Sequence, residues 1–134
     1  MKYLIFAFVL ILGCTSKEST ETLSAEDQEI IDLYNETIDI HNEVMPEMDR
    51  IMMDRDKLLQ VIQNDTLALD SITKANYKSK INKLEEAHEA MFAWMRKYGK
   101  MPNDSLGYEE IMKVLNDSKN AIIEVKAMVN EVLE

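Results

Sequence analysis

The stretch from Ile31 to Ile62, IDLYNETIDIHNEVMPEMDRIMMDRDKLLQVI, decides the fold. Ile31, Tyr34, Ile38, His41, Met45, Met48, Met52, Arg55, Leu59 and Ile62 recur at alternating spacings of three and four. That period lays them along one face of an α-helix as a heptad seam. Between Thr15 and Tyr98 there is no Gly, and the only Pro is Pro46, so little in the chain stops a helix there. Ser24 followed by Asp27 resembles a capping box and starts the first helix. Two turn formers at Asn64-Asp65, and the cluster Gly99, Pro102 and Gly107, mark the two breaks.

Three helices follow, over about 24–63, 67–98 and 106–133. The second carries a seam of Tyr77, Ile81, Leu84, His88, Met91, Met95 and Tyr98. The third carries Tyr108, Ile111, Leu115, Ser118, Ile122, Val125, Val129 and Val132. Flanking residues such as Val44, Ile51, Trp94 and Met128 widen each seam to the face that a bundle buries. Short turns between long helices predict an all-α, coiled-coil-like, up-down-up antiparallel three-helix bundle spanning 24–134. Asp70 and Lys74 fall on the second seam, so that helix either frays near the first turn or starts later, near Ser71.

At 134 residues the chain is one domain's worth, and 25 acidic against 15 basic side chains give it a formal charge of −10. That balance argues against a nucleic-acid partner, which needs a basic face to displace phosphate counterions. A single Cys excludes an intrachain disulfide and any multi-Cys zinc or iron–sulfur site. The acids are uneven: from Ser24 to Asp49 there are nine and no Lys or Arg. The expectation there is a solvated acidic face with some cross-helix pairing, open to a basic protein partner.

The first thirteen residues read as a targeting signal. Lys2 supplies a basic start, and Tyr3 to Leu12 is an apolar run too short to span a bilayer as a helix but suited to a signal-peptide core. It ends Leu10-Ile11-Leu12-Gly13-Cys14, which resembles the lipobox of bacterial lipoproteins. The resemblance implies cleavage before Cys14 and acylation of that residue. Cys14 is then a membrane anchor and neither nucleophile nor metal ligand, and two or three acyl chains make anchoring stable. Thr15 after the Cys implies sorting to the outer membrane, and residues 14–23, rich in Ser, Thr and Glu, read as a tether.

If the first turn is centred at 64–65, one register satisfies both turns and stacks His41, His88 and Ser118 in a single polar layer between Ile38/Met91/Leu115 and Met45/Leu84/Ile122. Two roles are open for that layer. It can fix register and helix count, its members satisfying one another or a trapped water. Alternatively it is a metal site: His41 with Met45, and His88 with Met91, each set an imidazole and a thioether a turn apart, a donor set suited to Cu(I) or another soft ion. Ser118, Met48 and Met95 flank it, and Trp94 is placed to cap it by cation–π contact. Against metal, Met is an ordinary core filler. Glu85-Glu86-Ala87-His88 holds one Glu-x-x-His pair, but a di-iron bundle needs two, and Ile38 occupies the matching position before His41. No catalytic triad, Cys-His pair or phosphate loop is visible, so the chain reads as non-enzymatic with no cofactor, copper being the alternative. Pro46 removes the amide that would bond to the Asn42 carbonyl and should kink the first helix.

The strings His41-Asn-Glu-Val-Met45-Pro46-Glu-Met48 and Ala87-His88-Glu-Ala-Met91-Phe-Ala-Trp94-Met95-Arg96 resemble two segments of small Bacteroidota lipoproteins, often labelled "viral A-type inclusion protein". That label reflects coiled-coil similarity and carries no activity. The resemblance implies a helical envelope lipoprotein, membrane-anchored, with a structural or interaction role.

Overall fold

In a computed structural model the described residues are 23–64, 69–103 and 105–134. They are all-helical with no strand, in four segments: α1 Ala25–Val44, α2 Glu47–Gln63, α3 Ser71–Tyr98 and α4 Tyr108–Leu133. Residues 1–13, expected to be a signal peptide, Cys14 and nearly all of the expected tether lie outside the described residues, as does Asp65.

Local chemistry sets most boundaries. Ser24 caps α1 reciprocally: its hydroxyl accepts from the Asp27 amide at 3.1 Å, and the Asp27 carboxylate accepts from the Ser24 amide at 3.2 Å. Asp70 caps α3, its carboxylate accepting from the amides of Ile72 and Thr73, both at 2.9 Å. α3 therefore begins at Ser71, later than 67, and the link between α2 and α3 is longer than a tight turn at 64–65.

The helix expected over 24–63 is two segments joined at Met45-Pro46. Both joint residues keep right-handed torsions (φ −56°, ψ −38° at Met45; φ −62°, ψ −23° at Pro46), so the chain keeps a helical path through the joint. The ladder, however, is interrupted. The Met45 amide still bonds to the His41 carbonyl at 2.8 Å, Pro46 has no amide, and the Met48 amide turns back to the Met45 carbonyl at 3.2 Å.

α1 packs on α4, α2 on α3, and α3 on α4. Along α1 and α4 the bridging pairs climb together: Glu29 with Tyr108, Glu36 with Lys119, Glu43 with Lys126, and beyond the joint Arg50 with the Leu133 carbonyl. The acids of α1 that make these bridges sit seven apart, and their partners come from α4. Between α3 and α4 the pairs run in opposite numerical order, Lys83 with Glu131 and Trp94 with Ser118.

The buried face follows the expected seam on α4 from Leu115 to Val132. On the other segments Met48, Ile81, Leu84 and Met91 are buried as expected, but elsewhere the face is rotated. Thr37 and Val44 are buried on α1 where Ile38 and Met45 were expected, and Ile51 on α2 in place of Met52. On α3, Ala87 and Trp94 displace His88 and Met95. One residue is about 100° around a helix, so either choice keeps the period. Burying Ala87 in place of His88 avoids the cost of enclosing an imidazole. Val44, Ile51 and Ala87 carry no polar side-chain atom, and Thr37 satisfies its hydroxyl on the Leu33 carbonyl at 2.8 Å. The rotation leaves His41, His88, Met45, Met52 and Met95 half-buried on the flank.

Candidate functional site

The polar layer is replaced by two separate arrangements. In the first, Trp94 is the hub. It is buried, and its Nε1–H donates to the Ser118 carbonyl at 2.9 Å across the α3–α4 interface. The His41 ring stacks on its face, centroids 5.3 Å apart and planes 23° from parallel. Tyr98 approaches Trp94 at 6.4 Å. With the proton on Nδ1, His41 donates to Asn42 Oδ1 at 3.2 Å, and its buried Nε2 has no hydrogen-bond partner.

His41 therefore meets Trp94 and not His88. The two α3 residues are six apart, about 9 Å along the axis and on different faces. α3 is displaced by almost a heptad against both neighbours, since Trp94 takes the place expected for His88 beside Ser118 as well as beside His41; the longer link before Ser71 accounts for the displacement against α1. Because a heptad seam presents similar residues every seven positions, apolar contacts alone resist such a slip poorly.

In the second arrangement His88 faces the joint. Met45, Met48 and Met52 line an open groove of about 500 Å³ together with His88, Phe92 and Asp49. The three thioethers stand at i, i+3 and i+7, on one side of the joint and the first turns of α2. His88 meets the Phe92 ring at a tilt, centroids 4.6 Å apart, and among the described residues neither of its ring nitrogens makes a hydrogen bond.

The residues expected to hold a metal are thus divided. Met45 and His88 line one groove. His41 lies on Trp94, and Met91 is fully enclosed in the apolar core. Ser118 is buried and Met48 borders both the core and the groove, while Met95 is half-buried against the core. Trp94 gives one face to His41, which fills the place of a capped ion. Among the described residues no three His, Cys, Asp or Glu side chains are grouped to hold a metal ion. Sequence reading placed Trp94 on the flank and had Met52 as a residue of the first seam. The Met45/Met48/Met52 spacing is visible in the sequence, but its partner His88 is found only once the register is known.

Charged groups sit at the ends and edges. Tyr108 donates to the Glu29 carboxylate at 2.6 Å, and that negative charge pushes the phenol up to about 12. Hydrogen bonds from Thr73 hold the Asp70 carboxyl below its ordinary value. Glu131 beside Lys83 raises the ammonium, and Lys83 lowers the carboxyl. Arg55 reaches Glu85 across α2 and α3 at 4.0 Å. No described helix is long and apolar enough to cross a membrane. No family model, curated protein or solved structure matches the chain.

Proposed function

We propose that the chain is an acylated lipoprotein of the bacterial outer membrane, held by Cys14 and a short tether, whose helical body is a non-enzymatic structural or interaction module. The observation that carries this is the string Leu10-Ile11-Leu12-Gly13-Cys14 behind a basic start and an apolar run, set ten residues ahead of the capping box at Ser24. The same assignment is what the resemblance to small Bacteroidota lipoproteins implies. The body is an up-down-up antiparallel bundle of three arms, the first with its hydrogen-bond ladder interrupted at Pro46. The climbing pairs between α1 and α4 and the opposed pairs between α3 and α4 support that topology.

An interaction role fits the surface. Glu36 and Glu43 bridge to α4, while Glu26, Asp32 and Asp39 stay exposed on α1, and apolar Val114 and Ile123 are exposed on α4. A protein partner with basic side chains suits the exposed acids of α1. Fractionation of cells expressing the full chain tests the anchor. The wild-type protein is expected in the outer-membrane fraction, and Cys14→Ser, which removes the acylated thiol, is expected to leave it. Equal membrane retention of Cys14→Ser would refute lipid anchoring through this residue.

A further inference from the structure

We propose that the groove at the Pro46 joint is a site for a soft monovalent cation, Cu(I) or Ag(I), held by the His88 imidazole and the thioethers of Met45, Met48 and Met52. This goes beyond the anchoring role and does not depend on it.

Thioethers are weak, soft donors that discriminate against hard divalent ions, and an imidazole adds a stronger nitrogen donor compatible with Cu(I). All four groups border one open groove. Met45 and Met52 are half-buried and Met48 is enclosed. Three rotatable bonds let each thioether swing onto an ion without moving its backbone. Packing explains Met48, whose side chain belongs to the core, and Met45, which packs against it, but it does not explain Met52 on the half-open wall facing an imidazole. His88 enters the groove with ring nitrogens that make no hydrogen bond among the described residues, and the tilted contact with the Phe92 ring limits its orientation. The Asp49 carboxylate at the groove supplies a negative charge for a bound monovalent cation. The interrupted ladder at Met45-Pro46 places Met45 where helix gives way to joint.

The test uses the full chain in detergent with Cys14→Ser, because the Cys14 thiol would itself capture Cu(I). Under anaerobic conditions Cu(I) is titrated against a chromogenic Cu(I) chelator, with methyl-labelled Met observed by NMR. One equivalent is expected to be taken from the chelator, moving the ε-methyl signals of Met45, Met48 and Met52 while Met91 stays in place. His88→Ala, and the near-isosteric pair Met45→Leu/Met52→Leu, should each weaken binding by at least about 10–100-fold, the loss that even outer-shell changes cause. His41→Ala should bind as before, and circular dichroism of each variant should show the helix content unchanged. Zn(II) should not displace Cu(I). Failure to take Cu(I) from the chelator, unchanged affinity in the folded Leu pair, or dependence on His41 instead of His88 would each overturn the site. None of these outcomes bears on acylation at Cys14.

Discussion

Trp94 shows how one side chain settles a local question that pattern cannot. It is large enough to fill the space between α1 and α4, and its one polar atom reaches the Ser118 carbonyl, so it can be buried without loss. Trp94→Phe removes the indole N–H that reaches that carbonyl and leaves part of the buried ring's volume unfilled. It is expected to cost about 1–3 kcal/mol in urea unfolding. His41 provides the opposite case, a buried Nε2 with no partner. Replacing the imidazole by an apolar ring removes that penalty, so His41→Phe should be at least as stable as wild type. A large loss would show that the imidazole has a partner the structure does not contain. The sequence placed His41 at a polar seam position but could not distinguish contact with His88 from contact with Trp94, since both lie near the same stretch of the second seam.

The segments differ in how far their sequences determine them. α4 buries the stripe that the heptad spacing selects, from Leu115 to Val132, although Val114, Ile123 and Met128 lie beside it. α1 to α3 carry doubled candidates, Val44 beside Met45, Ile51 beside Met52, Ala87 beside His88, and period alone does not choose between neighbours. The ends are governed by caps, and their pH dependence follows. Asp70 has a lowered folded pKa, so its contribution is present above its ordinary value of 3.8 and disappears as pH falls through the lowered folded value. Asp70→Ala should therefore melt lower than wild type at neutral pH, and the gap should close in strong acid. Tyr108 has the reverse sign: its folded pKa is raised from 10.0 to about 12, so its contribution is complete below 10 and lost through about 12. Absorbance titration should show one tyrosine ionising near that upper value, absent in Tyr108→Phe and moved down in Glu29→Gln.

At the scale of the molecule, helical class, the break near Gly99 to Gly107 and the position of Pro46 were legible from the sequence, because each rests on local chemistry. The register of α3 against its neighbours was not, because a heptad repeat tolerates slippage by its own period, and Trp94 stands where His88 was expected beside His41 and Ser118. The bridges between α1 and α4 are exposed pairs worth about 0–1 kcal/mol each, so raising the salt should change overall stability only slightly. Core truncation should not be slight: Met91→Ala, at a fully enclosed position, is expected to cost about 2–5 kcal/mol. The helical body supplies shape and stability, and the assignment to the envelope rests on Cys14. Intact-mass analysis of the protein extracted from bacterial membranes tests that assignment most directly. The mass expected is that of a chain beginning at Cys14 with two or three acyl groups on it, and a chain that retains residues 1–13 or carries an unmodified Cys14 would contradict it.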